Sequence, residues 1–109
     1  MELTPYRIMW IFVLFDLPVL TKAQRKDYTT FRKSLEKLGF GMQQFSVYNC
    51  FCGSRERMEA QIQRIKNHLP PAGHVMIMNL TDRQYQDIVN FYCRSEAKLK
   101  EGPQQLELF

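Results

Sequence analysis

The chain lacks any long apolar run. The longest, Ile8 to Phe15, ends after eight residues at Asp16, far short of the roughly 18 that a membrane helix needs. No membrane association is expected. Neither is a secretory signal, because no small-residue cleavage site follows and an acid interrupts the apolar region. Cysteine is scarce too. Three thiols make an odd number, and Cys50 and Cys52 are too close for an easy bridge, which suits a reducing cytoplasm better than a secreted disulfide scaffold. With Cys93 far away they lack zinc spacing, and three thiols fall one short of a four-cysteine iron–sulfur site. There are two histidines. His68 and His74 flank Pro70-Pro71 and read as surface residues, and no Asp-oriented His stands ready to activate Ser46, so a hydrolase triad has no basis. Repeats and low-complexity tracts are absent.

What is present is enough for one folded domain. The 109 residues are 45% hydrophobic and 24% charged, with eight Phe, five Tyr and one Trp, so a core can form and disorder is excluded. Fifteen Lys and Arg against eleven Asp and Glu leave a net charge of +4, a mild pointer to a polyanionic partner.

Ile8 to Phe15 does not alternate and reads as a strand buried on both faces, ending at Asp16-Leu17-Pro18. Thr21 with Gln24 forms a capping box that opens a helix, with Tyr28, Phe31, Leu35 and Leu38 on one face and Gly39 as its stop. Met42 to Cys52 is strand-like, with Phe45, Val47 and Phe51 on one side; it reads as one strand or as two joined near Tyr48-Asn49. Gly53-Ser54 opens a second helix with Met58, Ile62, Ile65 and Leu69 inward, broken by Pro70-Pro71-Ala72-Gly73. Val75 to Leu80 is a further strand. Thr81 and Gln84 cap a short helix carrying Tyr85, Ile88 and Tyr92. A domain over residues 1–93 is followed by a polar linker and a weakly alternating terminal strand, Leu106 to Phe109, within residues 94–109. The order is βαββαβ with a tail, an α+β ferredoxin-like sandwich. Two helices cover one face of the sheet, while the first strand is apolar on both; a second copy of the chain is the expected cover.

Two features carry chemistry. At 100° per residue, Lys22, Lys26, Lys33 and Lys37 form a straight stripe within about 60°, opposite the apolar face of the first helix. Arg25 and Arg32 flank it. Such a stripe matches the charge spacing of a nucleic-acid backbone without base contacts, and it is equally an ordinary solvated helix face. The cations of the second helix, Arg55, Arg57, Arg64 and Lys66, read as pointing in different directions. Asp16, at the carboxyl end of the buried strand, is either an Asx-turn former ahead of Leu-Pro or a magnesium ligand. One carboxylate is a poor magnesium site; a two-fold axis near Asp16 would supply a second.

The segments Phe12-Val-Leu-Phe-Asp16-Leu-Pro18, Thr21 with Arg25-Lys26-x-Tyr28-x-x-Phe31-Arg32, Met42-x-Gln44-Phe-Ser-Val-Tyr48 and Leu80-Thr-Asp-x-Gln84, in this order, resemble the small CRISPR-associated adaptation proteins called Cas-two, above all their type II members. The resemblance implies a homodimer with facing sheets, each completed by the partner's terminal strand. It implies a Mg2+-dependent phosphodiesterase, acting on RNA in some members and on double-stranded DNA in others, whose acidic residue falls on Asp16. It also implies a scaffold role, in which the dimer bridges pairs of the Cas-one integrase and holds the duplex that becomes a new spacer. Met42 stands where some members carry an Arg. No general base is evident, so slow turnover is expected. An RNA-recognition module shares the βαββαβ order, and Gly39-Phe40-Gly41 is similar to its aromatic signature, but that signature belongs on the third strand and here follows the first helix.

Overall fold

The computed structural model describes residues 9–93. Met9–Asp16 forms strand β1, Lys22–Lys37 helix α1, Gly41–Gln44 and Val47–Phe51 strands β2 and β3, Arg55–Lys66 helix α2, His74–Thr81 strand β4 and Asp82–Gln86 a short helix α3. The strands make one antiparallel sheet in the order β2-β3-β1-β4. This is the ferredoxin-like arrangement expected from the order of elements. The linker and terminal strand expected beyond residue 93 lie outside the described residues.

β1 is central because it has two hydrophobic faces to bury. Met9, Ile11, Val13 and Phe15 point to one side, where they join Phe31 and Leu35 of α1 and Met58 and Ile65 of α2 in the core. Each such side chain, taken from water to full burial, contributes about 1.5–3 kcal/mol. α1 begins at the expected capping box: the Thr21 hydroxyl accepts from the Gln24 amide at 3.1 Å and the Gln24 side chain accepts from the Thr21 amide at 3.0 Å. It ends before Gly39, whose φ of +96° suits a residue without a Cβ. Ser54 caps α2, and a second capping box joins Thr81 to Gln84.

Local details depart from the sequence pattern. The middle segment is two strands, but they turn at Phe45-Ser46 and not near Tyr48-Asn49. Ser46 takes the left-handed conformation, φ 65°. Tyr28 offsets that cost from α1, its hydroxyl sharing a 3.0 Å hydrogen bond with Ser46 Oγ and its ring stacking on Phe45 at 5.7 Å. Phe45 therefore belongs to the turn, not to the face of Val47 and Phe51. α2 stops at Lys66, so Leu69 lies beyond the helix and is exposed; its expected place on the inner face is filled by no helical turn. Gln61 is buried instead, because its amide bridges to the end of α1, donating to the Leu38 carbonyl at 2.8 Å. α3 is only five residues long. Its C-cap is Asp87, a last bond runs from the Ile88 amide to the Tyr85 carbonyl at 3.2 Å, and the β-branched pair Ile88-Val89 does not extend it, which leaves Ile88 and Tyr92 outside the helix and exposed.

Candidate functional site

Residues directly opposite in an antiparallel ladder share a face. The register therefore defines the sheet face turned away from the helices. Trp10, Phe12, Leu14 and Asp16 lie along its centre, with Phe51, Asn49 and Val47 on β3 and Leu80, Met78, Met76 and His74 on β4. α3 covers one end of it. Tyr85 stacks on Trp10 at 3.7 Å, and the Trp10 indole donates to Asp82 Oδ1 at 2.8 Å. The other end is open: Met76 and Met78 are exposed and Leu14 and Val47 half-buried, while Phe51, edge-on to Trp10 at 5.2 Å, is exposed beside the covered end. Asn49 is buried there, its Oδ1 accepting from Gln43 and its Nδ2 without a partner. The uncovered face expected from β1 thus exists, reduced by α3 to the half that leads to Asp16.

Asp16 is the last residue of β1 and is exposed. Leu17 beside it is buried, which fixes the backbone just past the carboxylate. An Asx turn would take a backbone N–H two residues on, and Pro18 has none to give. Among the described residues the carboxylate makes no hydrogen bond or ion pair, so the turn-forming reading fails. A fixed, unengaged carboxylate fits one oxygen ligand of a hard divalent ion, but one per chain is an incomplete set. Its cross-strand partner is His74, exposed on the same face. Gly73, just before it, has φ +108°, and a Cβ there would lie 2.8 Å from the Asp16 carbonyl oxygen and 2.6 Å from Leu17 Cδ2. Only glycine lets the chain press this closely on the end of β1. The sequence alone marks His74 as surface. Nothing local distinguishes it, since its place beside Asp16 exists only once the register of β1 against β4 is fixed. Among the described residues no three His, Cys, Asp or Glu side chains gather as a metal cluster.

The basic stripe lies in the helix layer, on the side of the sheet opposite Asp16. Lys22, Lys26, Lys33 and Lys37 are all exposed, and none is held in an ion pair among the described residues. The flanking arginines are engaged. Arg25 donates to the carbonyls of Val19 and Leu20 at 3.2 and 3.1 Å, bracing the segment before α1. Arg32 pairs with Glu36 at 3.1 Å and lies beside the buried Tyr48 hydroxyl. Burial pushes the Tyr48 phenol up, and the guanidinium works against that rise. One chain therefore does not bring the lysines and Asp16 into a single site. On α2, Arg57 and Arg64 do share a side, lining an open depression of about 420 Å³ with Leu38, Cys50 and Gln61; seven residues is nearly two helical turns. Cys52 is buried, which pushes its thiol up to about 12, with Cys50 adding to the rise. Phe40, the aromatic of the Gly39-Phe40-Gly41 signature, is buried in the core and has no face for a base. The RNA-recognition reading falls with it.

Known proteins match this chain along most of its length. The family model described as "CRISPR associated protein Cas2" matches residues 9–88. A protein of Paracidovorax avenae named CRISPR-associated endoribonuclease Cas2 is 45% identical over 107 residues, covering 98% of this chain and 99% of its own. Its namesake in Flavobacterium psychrophilum is 45% identical over 108 residues, 99% and 94% of the two chains. One in Parvibaculum lavamentivorans is 38% identical over 101 residues, 93% and 100%.

Proposed function

The chain belongs to the Cas2 family of CRISPR-associated proteins, and from that membership we propose that it is a divalent-metal-dependent endonuclease that works as a homodimer and holds duplex DNA for the Cas-one integrase. The relatives are named endoribonucleases, which favours phosphodiester cleavage as the chemistry. The observation that carries the reading is the open apolar end of the sheet face, which terminates at an exposed, unengaged Asp16. Two copies joined through that face would bury Met76 and Met78 and bring two Asp16 carboxylates towards one axis. A Mg2+ ion held there would polarise the scissile phosphate and lower the pKa of a bound water. Asp16 holds the ion, and the lysines of α1 hold the backbone of the nucleic acid.

The scaffold role rests on a separate observation. Lys22, Lys26, Lys33 and Lys37 lie on the opposite layer from Asp16, so holding a duplex does not require the carboxylate. Asp16→Asn tests both roles together. It keeps size and removes charge, and among the described residues Asp16 makes no side-chain hydrogen bond to lose. Cleavage of RNA or duplex DNA in Mg2+ should fall by orders of magnitude, while duplex binding, dimerisation and melting temperature persist. Cleavage at the parent rate in the variant refutes the metal-ligand role of Asp16.

A further inference from the structure

Asp16 does not stand alone on its face. In the β1–β4 ladder it lies directly opposite His74, and opposite residues in an antiparallel pair hold their Cβ atoms about 4.5–5.5 Å apart on the same side. That spacing suits a carboxylate oxygen and an imidazole nitrogen meeting on one ion. Both side chains are exposed, and neither makes a hydrogen bond or ion pair among the described residues. The pairing is also fixed from below. Gly73 presses the chain against the Asp16 carbonyl, where a Cβ would sit at 2.8 Å, and Pro70-Pro71 stiffens the approach. A pair of potential ligands held in register by a strand ladder and a glycine contact is preorganised in a way that two surface side chains on loops are not.

We propose that His74 is a second metal ligand beside Asp16, so that the site binds a first-row transition-metal ion in preference to Mg2+. The inference rests on the reading that Asp16 holds a divalent cation. Mg2+ takes oxygen ligands and keeps its waters, whereas imidazole suits the later divalent ions of the first row. One oxygen and one nitrogen from each chain is a set that favours the second class.

The test is calorimetric titration of the intact protein with Co2+ and with Mg2+, with the visible absorption of bound Co2+ as a report on nitrogen ligation. The chain has only two histidines, so His68→Ala serves as the control for adventitious binding. The expected result is that His74→Ala weakens Co2+ by at least about tenfold, a scale reached even by partners one shell removed from a metal, and alters the Co2+ spectrum. Mg2+ affinity and melting temperature stay unchanged, and His68→Ala behaves as the parent. If Asp16→Asn abolishes binding of both ions while His74→Ala changes neither affinity nor spectrum, the inference is overturned and the Asp16 reading stands. If Asp16→Asn leaves both ions bound as in the parent, the Asp16 reading fails and takes the inference with it.

Discussion

Met78→Glu is the most direct probe of the open sheet face. Met78 sits opposite Phe12 on the central strand and is 41% exposed, while Met76 on the same strand and Phe51 across β1 are 48% and 50% exposed. Fully burying such a side chain is worth about 1.5–3 kcal/mol, so covering the exposed half of all three recovers roughly 2–4 kcal/mol per chain and twice that for a symmetric pair. Association itself costs about 4–15 kcal/mol. The gain of about 4–8 kcal/mol for the pair lies at the low end of that cost, so a dimer formed through this face has little surplus and is sensitive to one change. Glu at this position forfeits the methionine's share and carries two like charges into a surface that water must leave, at several kcal/mol per ion. The dimer should weaken by at least about a hundredfold, close to 2.8 kcal/mol. Because the position is half exposed in the single chain, the monomer should keep its fold. Sedimentation velocity across the micromolar range reads the first effect and circular dichroism the second. A Met78→Glu chain that is folded and dimerises as tightly as the parent would refute the sheet face as the interface.

Replacing Lys22, Lys26, Lys33 and Lys37 with Ala should lower the slope of log affinity against log salt by about 0.9 for each phosphate of duplex DNA that is no longer neutralised; an unchanged slope in a filter-binding or anisotropy series would make the stripe a solvated face. Gly73→Ala should cost about 2 kcal/mol or more, since the new Cβ meets backbone at φ +108°, and the melting temperature should fall by roughly 10 °C. Gly41→Ala, where nothing lies within 4 Å, should change it little, and equal losses of stability at both positions would refute the close-approach argument. Cys52, pushed up to about 12 from an ordinary 9.0, stays neutral in the fold while the unfolded chain ionises. Stability is therefore intact below pH 9 and declines as pH rises from 9 towards 12, by no more than about 1.4 kcal/mol per pH unit. Cys52→Ala should flatten that decline in urea titrations, and iodoacetamide at pH 8.5 should modify exposed Cys93 well before Cys52.

Much of the fold was legible because its signals are local. The capping boxes at Thr21-Gln24 and Thr81-Gln84 need only three residues of context, and the helical spacing of Tyr28, Phe31, Leu35 and Leu38 reports its own buried face. The two-faced apolarity of Ile8 to Phe15 marked the central strand of the sheet, since only a strand with neighbours on both sides has use for it. Asp16 and the four lysines were visible for a similar reason: a charge at the end of an apolar run and a stripe at helical period are both patterns along one element.

What the tertiary structure decided are relations between elements. The turn at Phe45-Ser46 has no glycine to announce it and depends on Tyr28 from another helix to hold Ser46 at positive φ. Gln61 is buried because a carbonyl at the end of α1 awaits it. α3 folds back onto Trp10, which no pattern within residues 82–86 foretells, and so sets how much of the outer face stays open. Arg25 and Arg32 carry the same charge as the lysines they flank, yet backbone carbonyls and Glu36 engage them. His74 is set apart from His68, which lies in the turn after α2, by its place on β4. Fifty-eight positions separate it from Asp16 along the chain, and the ladder between β1 and β4 places the two side by side. Composition and periodicity determine what each segment is; which side chains meet is fixed by pairing energies summed over whole strands, and those exist only once the strands are in place.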